Sequence, residues 1–380
     1  MEKAERLTGT PDYAVLPGRI LDKTLAGRGL QKAEFAERCG HSAKMISEII
    51  AGKAPIMPET ALEFERVLGM PASYWLTLES LYRLRLAEQR DRQRLSDQRD
   101  WAKRFPIAAM VRLGWIDKPS DRVDEVAKLL AFFGVASVEA WQAMTASAAE
   151  QIAYRRSPSF QSAPESVSAW LRRGEMVAGA RPCGPFDEAG FRRVLKSVRE
   201  LTREAPEVFQ PSLIERCACV GVAVVFTPEL PKTCLSGATR WLSKDKALIQ
   251  LSLRHKTDDH LWFTFFHEAG HVLLHPKKLI LEEKLKKGEA PTPESAQRER
   301  EANVFAATTL IPRSAWMAFT AAGDFSAPRI RAFAKEHSLS PGIIVGQLQH
   351  DSHLSYATTL NSLKTTFRWP AESAVSHPSV

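Results

Sequence analysis

The sequence predicts a multidomain chain in which a short all-α domain is followed by a helical linker region and then by an α+β domain. Three observations support this fold class: glycine-separated short helices near the N-terminus, a long charged stretch after them, and strand-like runs only in the second half. The length of 380 residues also exceeds what one ordinary core needs. We expect domains at residues 1–80, 81–204 and 205–369, with a disordered tail at 370–380.

The composition is that of a protein that folds without disulfides. Its five cysteines show neither CxxC spacing nor an even framework, which is typical of free thiols in a reducing cytosol. The N-terminus lacks the apolar core of a signal peptide, and the longest apolar run, Leu129 to Val138, is shorter than the roughly 20 residues that span a bilayer. We therefore expect a cytoplasmic protein with no membrane partner.

The N-terminal 80 residues predict a helix-turn-helix domain. Four short apolar helices are ended by Gly29, Gly40, Gly52 and Gly69. In such a domain the helix SAKMISEII would enter the major groove of double-stranded operator DNA, and a homodimer would span two half-sites. The net charge of +8 is compatible with an acidic partner. The candidate DNA-contacting residues are the phosphate-binding Lys32 and Lys53 and the outward-facing Ser42, Lys44, Met45, Ser47 and Glu48.

The middle of the chain carries no recognisable chemistry. The stretch LYRLRLAEQRDRQRLSDQRDWAKRF alternates in charge and lacks glycine and proline, which indicates a solvated connecting helix. From residue 105 to about 202, apolar residues recur at three- and four-residue spacing and predict further helices. We expect residues 81–204 to link the two functional domains.

The C-terminal domain begins with strand-like segments. VGVAVVFTP and ALIQLSLR predict two strands with a glycine-containing connection between them, and we expect ALIQLSL to offer its edge to an extended peptide. A helix, LWFTFFHEAGHVLLH, follows, then a polar segment, KKGEAPTPESAQ, that predicts a mobile loop. A second helix, REREANVFAATTLI, ends at Pro312.

The pattern H-E-x-x-H in the first of these helices predicts a zinc site. His267 and His271 are four residues apart, so both imidazoles project from one helix face and one Zn²⁺ can bridge them. Glu268 lies beside that face, where it can take a proton from an activated water. Chance would give this pattern only about 0.02 times in a chain of this composition. Because the flanking residues are apolar, unpaired polar residues here would be costly.

A catalytic zinc needs a third protein ligand and an open position. His275 is about 12 Å along the helix axis from His267, which is too far for both to bind one ion, so we expect a packing or supporting role for it. Glu301 and Glu299 on the second helix are the remaining candidates. We favour Glu301 because it precedes Phe305 by one turn and shares its face, and Glu299 is the alternative.

The sequences FTFFHEAGHVLLH at 263–275 and EANVFAATTLIP at 301–312 resemble the ImmA/IrrE family of metallo-endopeptidases. Residues 17–69 are similar to repressors and antitoxins of the HigA/Xre class. The resemblance implies a zincin-like, gluzincin-type fold with a Zn²⁺ cofactor, often joined to a helix-turn-helix domain. It also implies a repressor-like protein as the substrate, because several family members relieve repression by cutting a DNA-binding repressor.

The sequence thus predicts a DNA-binding zinc metallo-endopeptidase that regulates transcription or a stress response. An alternative is an antitoxin-like transcriptional repressor whose peptidase fold senses a metal or ligand without proteolysis. Zinc content, cleavage of a repressor-like protein and operator binding would distinguish the two.

Overall fold

The computed structural model describes residues 15–144, 163–275 and 293–368 of the chain. Contacts divide the chain into two compact units, Met1–Gln98 and Arg99–Val380. The described part of the first unit is entirely helical, and that of the second combines helices with a three-stranded sheet. The predicted order of an all-α domain before a mixed region is therefore confirmed. The tail predicted at 370–380 lies outside the described residues.

The first unit is built around short helices whose apolar faces meet in one core. Phe35, Ile46, Phe64 and Trp75 are fully buried in it. The predicted helix ends are confirmed, and Gly40 and Gly52, which flank the third helix, both have φ of 72°, a conformation that favours glycine. The helices are α1 (Pro17–Gly27), α2 (Lys32–Arg38), α3 (Ala43–Ile50), α4 (Pro58–Leu68) and α5 (Ala72–Asp97).

Helix α5 contains most of the charged stretch that predicted a connecting helix. It begins within the core of the first unit, where Trp75 packs against Phe64 with ring centroids 5.6 Å apart. Its charged part carries ion pairs one turn apart, such as Arg83 Nε to Glu79 Oε1 at 2.6 Å. The charged stretch is thus helical up to Asp97, and the first turns of α5 belong to the helical core.

The second unit begins with helices that surround an aromatic cluster. Phe105 lies 4.9 Å from Trp101 and 5.4 Å from Trp141 between ring centroids. One stretch, Arg122–Met144, has the length and mean hydropathy, 1.2, of a membrane span, but Gly134 with φ of 69° interrupts it. Its apolar residues contribute to this cluster, because Phe133 and Trp141 both lie in it. The helices are α6 (Arg99–Ala102), α7 (Ile107–Arg112), α8 (Arg122–Phe133) and α9 (residues 138–144).

Further helices pack on a sheet of three strands. They are α10 (Pro164–Ala180), α11 (Glu188–Val198) with a 3₁₀ turn (Arg199–Arg203), and α12 (Pro206–Ala218). The strands are β1 (Val222–Phe226), β2 (Gly237–Ser243) and β3 (Lys246–Leu251), in the order β1-β3-β2. Strand β3 is parallel to β1 and antiparallel to β2.

The sheet corrects two expectations. Strands β1 and β3 were predicted, but β2 was interpreted as a connection, because GATRWLS has no run of β-branched residues to indicate a strand. The peptide-binding edge was assigned to β3, which is wrong because β3 is the middle strand and pairs on both sides. Within the described residues, β1 and β2 are the two outer strands of the sheet.

The remaining helices enclose the main core of the second unit. They are α13 (Asp258–Leu274), α14 (Pro293–Leu310), α15 (Arg313–Ala321), α16 (Ala327–Glu336) and α17 (Pro341–His350), followed by a 3₁₀ turn (Thr359–Leu363). The polar segment predicted as a loop is partly helical, because α14 begins at Pro293, and residues 286–292 lie outside the described part. Helices α13 and α14 pack directly together.

A buried polar network fixes the start of α13. Asp258 accepts hydrogen bonds from the Ser340 hydroxyl and from the Thr365 backbone N–H, the latter at 3.1 Å. Next to it, Asp259 Oδ2 lies 2.7 Å from Lys364 Nζ. Burial raises the pKa of Asp258 from 3.8 to about 6. The network therefore connects the first turn of α13 to the segment near residue 365.

Candidate metal centre

The H-E-x-x-H residues lie in the second half of α13, on the side that meets α14. His267 and His271 are 9% and 5% exposed, and their Nε2 atoms are 3.0 Å apart. The helical spacing of four residues brings the two rings together on one face, as the sequence predicted. At such a distance the two ring nitrogens can share one hydrogen bond or bind one cation between them.

Glu299 completes this group. Its Oε2 lies 3.3 Å from His267 Nε2 and its Oε1 lies 3.4 Å from His271 Nε2. The ligand atoms of these three residues all lie within 4.8 Å of one another. The side chain of Glu299 is 42% exposed, so solvent can reach the centre from this side.

The expectation that Glu301 approaches the two histidines is wrong. Its carboxylate lies against His275, with Oε2 3.3 Å from His275 Nε2. We chose Glu301 on the assumption that Phe305 marks the inward face of α14, but Ala302 and Ala306 are fully buried, whereas Phe305 is only partly buried. Residues 299, 302 and 306 share one helix face, and residue 301 points about 200° away from residue 299.

A glycine on α13 permits the close approach of the two helices. A Cβ added at Gly270 would lie 3.1 Å from Phe305 Cδ1 and 3.2 Å from Ala302 Cα. Gly270 therefore lies where α14 approaches α13 closely. Small residues on both helices therefore bring the Glu299 carboxylate within reach of the histidines.

The group fits a tetrahedral zinc ion. With Zn–N and Zn–O bonds of about 2.0–2.1 Å, neighbouring ligand atoms in such a site are about 3.3 Å apart. The two Nε2 atoms are 3.0 Å apart, and each has one oxygen of the Glu299 carboxylate at a similar distance, Oε2 at 3.3 Å from His267 and Oε1 at 3.4 Å from His271. His267 Nδ1 also donates to Asn303 Oδ1 at 2.8 Å, which leaves the lone pair of its Nε2 available for a metal.

Glu268 is fully buried and is held by strand β2. The Thr239 hydroxyl donates to Glu268 Oε2 at 2.7 Å. A Cβ added at Gly237 would lie 3.0 Å from Glu268 Oε1, so β2 passes closely over this carboxylate. Thr239 and Gly237 were not among the predicted site residues, because the strand that carries them was not predicted. Asn303 was not among them either, although it belongs to the E-A-N motif at 301–303 and lies one helical turn after Glu299.

His275 lies just beyond the last turn of α13. Its Nδ1 is 2.9 Å from His271 Nδ1, so it supports a histidine of the centre and does not join the group, as its spacing predicted. Burial is the main cause that lowers the pKa of His275. The pKa of Glu301 is lowered by hydrogen bonds from Gln297 and His275.

The residues expected to contact DNA lie on or beside α2 and α3. Ser42 begins α3 and accepts a hydrogen bond from Met45 N–H at 3.2 Å, so it caps the helix. Lys44 has 85% of its side chain exposed and lies 4.0 Å from Glu48. Lys32 pairs with Asp22 at 2.7 Å. The remaining candidates Ser47 and Lys53 are exposed, Glu48 is half-buried, and Met45 packs partly against the core.

Two family models match the chain. One describes an IrrE N-terminal-like domain of the M78 peptidases and matches residues 217–344, which include β1, β2, β3 and the metal centre. The other describes a helix-turn-helix and matches residues 24–75, within the first unit.

Two curated relatives are each similar to about a fifth of the chain. Virulence-associated protein I of Dichelobacter nodosus is 34% identical over 84 residues, which are 22% of this chain and 77% of that protein. The uncharacterised HTH-type transcriptional regulator YddM of Escherichia coli is 30% identical over 73 residues, which are 19% of this chain and 78% of that protein.

Solved structures of antitoxin-type proteins are also similar. A plasmid maintenance antidote protein of Nostoc punctiforme is 28% identical, covers 22% of this chain and 91% of its own, and has a TM-score of 0.22. A HigA-family antidote protein of Coxiella burnetii is 20% identical, covers 22% of this chain and 94% of its own, and has a TM-score of 0.21. The antitoxin GraA is 25% identical, covers 22% of this chain and 87% of its own, and has a TM-score of 0.20.

The two family matches fall on the two units that the contacts define, and the centre described above lies within the first of these matches. The chain therefore carries an IrrE-like M78 peptidase domain and, in the same polypeptide, an N-terminal helix-turn-helix domain.

Proposed function

We propose that this protein is a zinc-dependent endopeptidase that is tethered to DNA by its helix-turn-helix domain and cleaves a repressor-like protein. The observation that carries this proposal is the convergence of His267, His271 and Glu299, whose ligand atoms all lie within 4.8 Å of one another beside the buried Glu268. A structural role for this group would not require an acid of the H-E-x-x-H type next to it.

His267, His271 and Glu299 would hold the ion. Zn²⁺ in such a site lowers the pKa of a bound water and polarises the carbonyl of the scissile peptide bond. Asn303 keeps His267 in the tautomer that presents Nε2, and the exposed side of Glu299 leaves room for substrate. These residues thus supply three ligands and one open position.

Glu268 would move the proton. Its Oε2 accepts a hydrogen bond from the Thr239 hydroxyl, which fixes the carboxylate that would accept a proton from the attacking water. Glu268 would then give that proton to the leaving amine. The burial of Glu268 excludes bulk water from this transfer.

The scissile peptide bond would lie near β2. Thr239 on this strand contacts Glu268, so a peptide held at the metal centre would pass close to the strand that fixes the proposed base.

The first unit would bring this activity to operator DNA. Lys44, Ser47 and Lys53 are exposed and could reach bases or phosphates, as α3 enters the major groove. We propose that the protein acts in the cytoplasm as a homodimer over two half-sites. The regulator among its relatives supports a role in transcription.

Two variants test the proposal. Glu268→Gln should reduce cleavage of an unfolded protein and of a mixed peptide library by about a thousandfold, because the base is lost while the ligands remain. Its zinc content, measured by elemental mass spectrometry, should equal that of the wild type. His267→Ala should lose both zinc and cleavage.

The control variant is Glu294→Ala, an exposed carboxylate in the first turn of α14. It should retain zinc and activity. Full activity of Glu268→Gln would refute the mechanism. A wild-type protein that binds zinc and operator DNA but cleaves nothing would support the alternative, a repressor that senses metal without proteolysis.

A further inference from the structure

His275 is the one histidine of the FTFFHEAGHVLLH segment to which the proposed reaction gives no part. Its ring is buried and contacts the side of His271 opposite to the metal centre, with the two Nδ1 atoms 2.9 Å apart. On its other side His275 Nε2 lies 3.3 Å from Glu301 Oε2. Glu301 Oε1 in turn accepts a hydrogen bond from Gln297 Nε2 at 2.8 Å.

Two Nδ1 atoms at this distance share a single proton, so one ring must donate and the other must accept. If His275 donated through Nδ1, its neutral ring would present an unprotonated Nε2 to the Glu301 carboxylate, and two acceptors would face each other. If His271 donates, His275 accepts at Nδ1 and donates from Nε2 to Glu301. The Glu301 carboxylate therefore determines the direction of both hydrogen bonds, from His271 to His275 and from His275 to Glu301.

This direction fixes the tautomer of His271. A neutral His271 that carries its proton on Nδ1 has its lone pair on Nε2, the atom that faces His267 and Glu299. Asn303 holds His267 in the corresponding tautomer, because its Oδ1 accepts a hydrogen bond directly from His267 Nδ1. Helix α14 thus supplies one proposed ligand, Glu299, and polar partners for His267 and His275.

We propose that His275 and Glu301 are positioning residues that hold His271 in its metal-binding tautomer and thereby strengthen metal binding. This inference rests on the proposed metal site. Neither residue touches the ion or the substrate, so their effect is on metal affinity and ligand geometry.

Two substitutions at residue 275 separate the two contacts. In His275→Asn the amide oxygen takes the position of Nδ1 and can still accept from His271. In His275→Gln the amide nitrogen takes the position of Nε2 and can still reach Glu301, but nothing accepts from His271. We expect the zinc affinity of the full-length chain to fall by about tenfold or more in His275→Gln and by clearly less in His275→Asn.

Glu301 provides a variant with little risk to folding, because 43% of its side chain is exposed. Glu301→Ala should weaken zinc binding by about three- to tenfold, and Glu301→Gln, which keeps an acceptor oxygen, should restore most of it. Affinity is measured by competition with a chromophoric chelator. The visible spectrum of the Co²⁺-loaded protein reports ligand geometry and should change in His275→Gln.

The control is His260→Ala, an exposed histidine on the same helix that should leave zinc affinity unchanged. Equal affinities of wild type, His275→Gln and Glu301→Ala would overturn the positioning role, as would equal losses in His275→Asn and His275→Gln. If His267→Ala and Glu299→Ala also bind zinc normally, the metal site itself is wrong. That result is distinct from the failure of the positioning pair.

Discussion

In the first unit the residues proposed to contact DNA lie at the surface, and 85% of the Lys44 side chain is exposed. In the second unit His267, Glu268 and His271 are each at most 9% exposed, and partners on other elements hold them. Residues at a surface can be exchanged without a large effect on folding, whereas buried polar residues are part of the packing. Substitutions of the proposed DNA contacts should therefore change stability little, whereas substitutions of the buried residues of the metal centre should also affect folding.

The largest effect is expected in the core of the first unit. Ile46 on α3 is fully buried, and Ile46→Ala should reduce the free energy of unfolding by about 2–5 kcal/mol, because it removes buried methyl groups and leaves a cavity. Urea denaturation followed by circular dichroism measures the change. Ser47→Ala, the exposed neighbour, should stay within about 0.5 kcal/mol of wild type. Similar losses in both variants would contradict the division between core and surface.

The next effect concerns the polar network at the start of α13. The pKa of Asp258 is about 6 in the folded protein, against 3.8 for a solvated aspartate, so the unfolded chain binds fewer protons between these values. Ionisation of Asp258 therefore destabilises the fold as pH rises from about 4 to 6, by about 3 kcal/mol at most. Asp258→Asn cannot ionise and keeps an oxygen that accepts from Thr365. Its stability relative to wild type should rise across this range.

Urea denaturation at several pH values, with a chelator present throughout, measures this difference. Asp324→Asn is the control, because Asp324 is exposed and hydrogen bonds from Ser326 lower its pKa. Its stability relative to wild type should not rise with pH. If the free energies of unfolding of wild type and Asp258→Asn change in parallel from pH 4 to 7, ionisation of Asp258 does not destabilise the folded protein.

The smallest effect is expected at the DNA-facing surface. Lys53→Ala should leave stability within about 0.5 kcal/mol and weaken binding to a random 30-base-pair duplex by a few fold. The loss of one phosphate contact should also reduce the slope of log affinity against log salt by about 1. Fluorescence anisotropy at several salt concentrations measures both. Lys23→Ala, an exposed lysine on α1, is the matched control, and an equal loss there would contradict the assignment of Lys53.

Local sequence patterns predicted much of this structure. The helix-terminating glycines, the charged helix and the pair of histidines at four-residue spacing all depend on contacts within one or two helical turns, which the sequence contains directly. Strands β1 and β3 were also predicted, because they consist of apolar runs that fit a buried sheet. The sequence therefore identified His267, Glu268 and His271 as a candidate metal and acid group before the fold was known.

Other features depended on how distant elements pack. The choice between Glu299 and Glu301 follows from the rotation of α14 about its axis, which the small residues Gly270, Ala302 and Ala306 determine. The strand beside Glu268 was missed because GATRWLS forms a strand only through pairing with β3. The sequence by itself determined which side chains could bind a metal. The tertiary structure decided which carboxylate reaches them, because helix rotation and strand pairing depend on contacts between residues far apart in the chain.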